Sequence, residues 1–298
     1  MALLRGESWD THVHVFDTTA FPFKHNRAYT PSDASIVELI RNSSLGNFLI
    51  VQASVETDSK GLLYQLQKAQ ELFPDRKFRG TILFDPHNGE DWSYSRTALL
   101  HNAGIRCVRI HGKFGNMSGT TYDMVAENVK DILRHQISSV VRRQGWAISM
   151  QLPLDVWTLL EDFIKKDMVG VPIVAEHCAT IHLPLDAKSD HAVTTLCRML
   201  THGNLYIKLG ALHRRMDNKD KDDCSKMESI IRRLVAANPR RLLWGSDWPH
   251  VDSTAKGSIP APNLTIDHAV ELDLARRAMS GADMELMLCE NPERLFGV

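Results

Sequence analysis

The 298-residue chain has no hydrophobic run approaching the ~20 apolar residues of a membrane span, which argues against a membrane protein. It has no excess of basic residues. Thirty-five Lys and Arg against 36 Asp and Glu leave a net charge of −1, so the broad electropositive face that a polyphosphate needs is not expected and nucleic acid is excluded as a partner. Cysteine is sparse and badly spaced for metal or disulfide work. Cys107, Cys178, Cys197, Cys224 and Cys289 form an odd set with no CxxC pair, which argues against a disulfide framework or a thiolate zinc site and points to reduced thiols in a cytoplasmic protein. The first ten residues carry Arg5 and Glu7 and lack the apolar segment of a secretory leader. There is no repeat, low-complexity tract or composition break, so residues 1–298 are expected to form one domain.

What is present is alternation. Short apolar runs over Trp9–Phe16, Phe48–Ser54, Phe78–Phe84, Cys107–Gly112, Ala147–Pro153, Pro172–Cys178, Leu205–Ala211 and Arg241–Asp247 read as strands. Between them lie stripes at helical spacing, such as Ile36, Leu39 and Ile40, then Leu62, Leu66 and Ala69, then Val125, Val129, Ile132 and Leu133. Eight such units predict the α/β fold of a closed (β/α)8 TIM barrel. An open doubly wound sheet would carry a glycine-rich turn after its first strand, whereas this chain has His14 and Asp17 there. The polar stretches Asp17–Ser32 and Trp248–Asn263 follow strands one and eight, which puts them at the C-terminal mouth, where barrel active sites lie. At the far end, Asn291-Pro292 and Gly297 bracket a short terminal helix.

Strand parity then sorts the polar side chains. It turns Asp10, His12 and His14 inward on strand one, Arg109 and His111 on strand four with Lys113 following, and Ser149 and Gln151 on strand five. Strand six offers His177, strand seven Lys208, and strand eight Gly245 and Asp247. One inward histidine is commonly a satisfied core residue. Imidazoles and charges sent by several strands to one end of a barrel are too costly to bury without use, and they define a site. By contrast, the alternating Lys and Asp of Asp217–Asp223 read as a solvated loop, Met284 and Met287 as core, and His101, His135 and His202 as surface residues. His87 is left unassigned.

Three segments of this chain are similar to the amidohydrolase superfamily, in its "amidohydrolase-2" branch: Trp9-Asp10-Thr11-His12-Val13-His14, Trp244-Gly245-Ser246-Asp247-Trp248-Pro249-His250, and Asn291 through Gly297. The resemblance implies a TIM-barrel hydrolase or, less often, a decarboxylase. Within the branch, Phe21-Pro22 with Arg27 through Pro31, Arg109, and Lys208 through Arg214 resemble the pyrone-dicarboxylate lactonase group. Tyr29 then matches a substrate-contacting tyrosine, Lys113 stands where a second strand-four arginine is usual, and Gln151 lies where a strand-five tyrosine is missing.

Two mechanisms suit this set. In the favoured one no metal takes part. Asp247 acts as general base, and His12, His14 and His177 donate to the developing oxyanion. Arg109, Arg214 and Lys113 hold the carboxylate of a small-molecule substrate, while Tyr29, His111, Gln151 and His250 complete the pocket. In the alternative, His12, His14, His177 and Asp247 ligate one Zn or Mn ion. A third reading, from a different class, is a non-catalytic barrel that binds a small anion. The sequence leaves the oligomeric state open.

Overall fold

In the computed structural model, which describes residues 6–86, 90–111, 120–217 and 220–297, eight parallel strands form one sheet in the order β1 to β8. They are β1 (Trp9–Val13), β2 (Asn47–Val51), β3 (Phe78–Leu83), β4 (Ile105–His111), β5 (Ala147–Gln151), β6 (Ile173–Ala175), β7 (Leu205–Leu209) and β8 (Leu242–Trp244). All eight expected strands are found, each ending one to three residues earlier at its C-terminus, because the chain leaves the sheet where the mouth begins. The helices between them are α1 (Ile36–Asn42), α2 (Lys60–Leu72), α3 (Tyr94–Asn102), α4 (Tyr122–Ile132), α5 (Ser138–Gln144), α6 (Leu154–Asp167), α7 (Ala187–His202), α8 (Lys221–Ala237) and α9 (His268–Ala278). The three stripes read from the spacing are buried almost throughout: Leu62, Leu66 and Ala69 on α2, Val125, Val129 and Ile132 on α4, and Ile36 and Leu39 on α1, where Ile40 is only partly covered.

The barrel closes between β1 and the chain just after β8. His14 N donates to Trp248 O (2.8 Å) and Asp247 N to His12 O (2.9 Å), so the seam is built from the segment that carries the candidate site. Two glycines make this close approach possible. A Cβ on Gly210, which has φ +146°, would sit 1.9 Å from Gly245 O, and one on Gly245 would sit 2.6 Å from His12 Cβ.

Inside the barrel three layers follow one another. Trp9, Leu49, Cys107, Ala147, Val174, Tyr206 and Leu243 form an apolar floor. Two short final helices, α10 (Gly281–Glu285) and α11 (Asn291–Phe296), complete the chain, and Leu295 and Phe296 of α11 plug the floor from below. Asn291 is the first residue of α11, not its cap. Its amide is spent on Pro239 O and Leu242 O beneath β8. Above the floor lies a buried charged layer of Arg109, Glu176 and Lys208, and above that the open mouth. The long loops after β1 and β8 are zipped together there, as their placement anticipated. Tyr29 bridges to Lys256 and Pro31 to Ala261, and Thr30 Oγ1 donates to Gly257 O.

One parity assignment is overturned. A bulge between Asp10 and Val13 sets three residues of β1 against two of β2, so Asp10 and Val13 both face the helices, and Trp9 joins the interior. Asp10 is buried outside the barrel wall, where its Oδ1 accepts from the backbone N–H of His12 (3.2 Å) and Ser246 (2.9 Å). It braces the two site-bearing segments from behind.

Candidate active site

The mouth encloses a cavity of about 280 Å³ lined by His14, Tyr29, Arg109, His111, Gln151, His177, Arg214 and Asp247, among others. An imidazole cluster packs against its wall. The His12 ring lies 4.5 Å from His177 and 5.1 Å from His14, centroid to centroid. Asp247 Oδ1 faces His14 Nε2 at 3.6 Å and His12 Nε2 at 3.8 Å, and Asp247 Oδ2 accepts from Arg214 Nε at 2.8 Å.

Asp247 and His177 reach these positions through left-handed backbone, with φ +68° and +50°. Such a conformation costs a residue with a side chain about 1–2 kcal/mol. The strain is informative at His177. Val174 and Glu176 are the inward residues of β6 by parity, so continued extended chain would point His177 at the helices. A run of positive φ over His177–Thr180 turns it back into the cavity. His177 therefore arrives where expected, but by a turn and not by alternation.

Parity also names the residue that the sequence reading missed. Glu176 is fully buried and gathers the charged layer. Its carboxylate accepts from Arg109 Nε (2.9 Å) and Nη2 (2.8 Å) and from Ser149 Oγ (2.7 Å), and Oε1 lies 3.8 Å from His12 Nδ1. Its step of two from Val174 was the available signal. Arg109 is thus held by Glu176, with a further bond from Nη2 to Gln151 Oε1 (3.2 Å), although it still lines the cavity.

These bonds set the proton positions. His14 Nδ1 lies 2.7 Å from Val51 O. A carbonyl can only accept, so Nδ1 carries a proton, and Nε2 is the ring nitrogen that faces Asp247. Lys208 Nζ sits 3.4 Å from His12 Nδ1 and can only donate, which puts the proton of His12 on Nε2. That Nε2 is buried with no hydrogen-bond partner. Burial lowers His12 well below the ordinary histidine range and takes His177 and His111 down to about 3, so these imidazoles are neutral. Burial works the other way on the carboxylates, but the Arg214 guanidinium counters it at Asp247, and Arg109 and Lys208 do so at Glu176. Both stay ionised.

Not every expected residue lines the cavity: His12, only 1% exposed, packs against His14 and His177 without forming part of its wall. His250 lies behind Asp247, with Nε2 2.9 Å from His268 Nε2, beside His213, which contacts buried Glu271. Lys113 and His87 fall outside the described residues.

The donor set passes a test for one divalent ion. The ligand atoms of His12, His14 and Asp247 lie within 4.8 Å of one another, and His12 Nε2, which would have to give up its proton to ligate, and His14 Nε2 face the same carboxylate oxygen. His12, Glu176 and His177 form a second such group.

A barrel with its polar apparatus at the C-terminal ends of the strands is the architecture of a barrel enzyme. The family model described as amidohydrolase matches residues 9–298, and the chain belongs to that family. It is 27% identical over 297 residues to a 4-sulfomuconolactone hydrolase of Rhizobium radiobacter, covering 98% of this chain and 90% of the relative. It is 24% identical to a 2-pyrone-4,6-dicarboxylate hydrolase of Comamonas testosteroni, covering 96% and 89%. Among solved structures, a probable 2-pyrone-4,6-dicarboxylic acid hydrolase from Acinetobacter baumannii with citric acid bound superposes with a TM-score of 0.72 at 20% identity, covering 98% and 100%. A Burkholderia multivorans amidohydrolase with bound zinc gives 0.59 at 15%, covering 98% and 99%. Among the described residues no helix is long and apolar enough to cross a membrane.

Proposed function

We propose that the protein is a hydrolase that opens a lactone, or cleaves an activated ester, of a small carboxylate-bearing substrate, with Asp247 as general base. The observation that carries this reading is the ionised Asp247 carboxylate at the cavity wall, with one oxygen fixed by Arg214 and the other facing His12 and His14. The names of the two curated relatives, both lactone hydrolases, favour a C–O bond as the one cleaved.

In this mechanism a water donates to Asp247 Oδ1 and to His14 Nε2, whose 3.6 Å spacing suits one shared molecule. Asp247 takes a proton as the water oxygen bonds to the lactone carbonyl carbon. The carbonyl electrons move onto its oxygen, which His12 Nε2–H receives as an unspent buried donor. His177, its ring tilted against that of His12, supplies the second contact. When the carbonyl re-forms, the ring C–O bond breaks, and the proton held by Asp247 passes to the leaving oxygen. With its Nδ1 proton committed to Val51 O, His14 is assigned to orienting the water and not to the oxyanion. Arg214 and Arg109 supply positive charge for the substrate carboxylate, and Tyr29, His111 and Gln151 bound the space around it.

A positioned base contributes about 10²–10⁴-fold. Asp247→Asn should therefore lower kcat on pyrone-type lactones by about that factor while the fold, read by circular dichroism, is kept. A fully active Asp247→Asn enzyme would refute the mechanism.

The ligand set supports a second reading, in which His12, His14 and Asp247 hold Zn or Mn. Such an ion would supply Lewis-acid polarisation and a more acidic water. Two cations weigh against it. Arg214 occupies Asp247 Oδ2, and Lys208 favours the His12 tautomer whose Nε2 is protonated and unable to ligate. Metal analysis of the purified protein separates the two. Stoichiometric Zn or Mn, with activity lost on chelation and restored by the ion, would overturn the metal-independent reading.

A further inference from the structure

A second cavity, of about 390 Å³, lies beside the first between the loops that follow β5, β6 and β7, and the two share Gln151 as a wall. It is lined by Gln151, Asp155, Thr180, His182, Ser189 and Arg215, among others. Arg215 is only 8% exposed. The other two arginines near the mouth are matched, Arg109 by Glu176 and Arg214 by Asp247. Among the described residues no carboxylate comes within salt-bridge distance of Arg215, and Asp247 acts on it only from further away.

Its surroundings do not neutralise it. Nη1 meets His182 Nε2 at 2.7 Å, and because the guanidinium can only donate, His182 accepts there and is neutral, with its Nδ1 left as a donor. Arg215 Nε is buried with no acceptor. Asp155, an acid on the same wall, is taken by Lys188 Nζ at 2.7 Å. Thr180 Oγ1 donates to Leu152 O. Burial lowers Arg215 to about 10, so it remains a cation at neutral pH. A buried cation without a counter-charge is among the costliest arrangements in a protein, and here it borders a cavity large enough for a small acid.

We propose that Arg215, with His182 beside it, forms a binding site for a small carboxylate next to the catalytic cavity. A planar guanidinium fork matches a carboxylate through two parallel bonds, and the shared Gln151 wall puts the site next to the place where substrate reacts. The carboxylate has two possible sources, a separate small acid or an acidic group of the reacting molecule itself. The second source rests on the lactonase reading, and the first does not.

Malonate at constant ionic strength, titrated by calorimetry into the full-length protein, tests the site without turnover. Expected is saturable binding, weakened at least about tenfold in Arg215→Gln, the loss of one charge-assisted pair. Arg215→Lys, which keeps the charge but loses the fork, should lie between the two and serves if the Gln variant does not fold. To distinguish the sources, KM is compared for 2-pyrone-4,6-dicarboxylate and for the 2-pyrone-6-carboxylate that lacks one acid. A rise in the ratio of the two values in Arg215→Gln, with malonate competing against the lactone, assigns the site to the reacting molecule. Malonate binding that does not compete, with an unchanged ratio, assigns it to a separate acid. If the protein hydrolyses neither lactone, the catalytic reading falls while the malonate titration still decides this one. Malonate affinity in a folded Arg215→Gln or Arg215→Lys protein within about twofold of the parent, or no binding by the parent together with an unchanged KM ratio, overturns the proposal.

Discussion

Replacing Glu176 by glutamine keeps the shape of the residue at the centre of the charged layer and removes its charge. The parent carboxylate is fully buried and receives Arg109 Nε and Nη2 at 2.9 and 2.8 Å and Ser149 Oγ at 2.7 Å. A glutamine can still accept one or two of these bonds, but Arg109 is left as a buried cation without its counterion. Breaking a buried ion pair from one side costs about 3–5 kcal/mol. With an unfolding entropy of about 2.1 cal/mol/K per residue, that loss lowers Tm by about 5–8 °C for a chain of this length. Urea unfolding followed by tryptophan fluorescence, with a thermal scan alongside, reads both quantities. The decisive comparison is the cycle with Arg109→Met. Each single variant should lose about 3 kcal/mol or more, whereas the double variant should recover much of it because neither buried charge remains. Lys208, which also leans on Glu176 and whose pKa burial already lowers, can then shed its proton. A Glu176→Gln protein within about 1 kcal/mol of the parent, or a double variant no better than the worse single, would falsify the claim that this pair holds the layer together.

Glu56 gives a pH prediction. Burial raises its pKa from 4.5 to about 8, against the backbone N–H of Ala53 that favours its ionised form. The folded state holds a proton that the unfolded chain has released above pH 4.5. Glu56 therefore contributes most stability below that pH and loses it as pH rises through 8. Between pH 7 and 8 the loss should be about 1 kcal/mol, and Glu56→Gln should flatten that slope in urea titrations; a slope that persists refutes the assignment. At the barrel seam, Gly210→Ala places a methyl group 1.9 Å from Gly245 O and should cost about 3 kcal/mol or more. Gly170→Ala, with φ +77° but open space around its Cβ, controls for backbone strain alone, and equal losses in the two would show that the clash is absent.

The sequence alone determined the architecture and put forward most of the candidate site, because both depend on local periodicity. Eight apolar runs separated by helical stripes can bury their faces only by parallel pairing, and a period of two assigned Arg109, His111, Gln151, Lys208 and Asp247 to the interior. His12 and His14 were legible as a spaced pair at the end of a strand. What the sequence could not settle lay wherever the backbone departs from that period. One extra residue in β1 moved Asp10 to the outside wall and Trp9 to the floor. A left-handed turn after β6 swung His177 inward beside Glu176, so that one site residue was found by a route parity does not provide and another was passed over. Pairing of charges across strands was equally hidden. Arg109 and Arg214 read alike in the sequence as free substrate cations, yet the first is held by Glu176 and the second by Asp247. Arg215, whose position on a loop gave no periodic signal, is the one left facing a cavity without a carboxylate partner among the described residues. Periodicity is a property of neighbours along the chain. Which charge meets which is fixed only when strands far apart in sequence are brought together around one barrel.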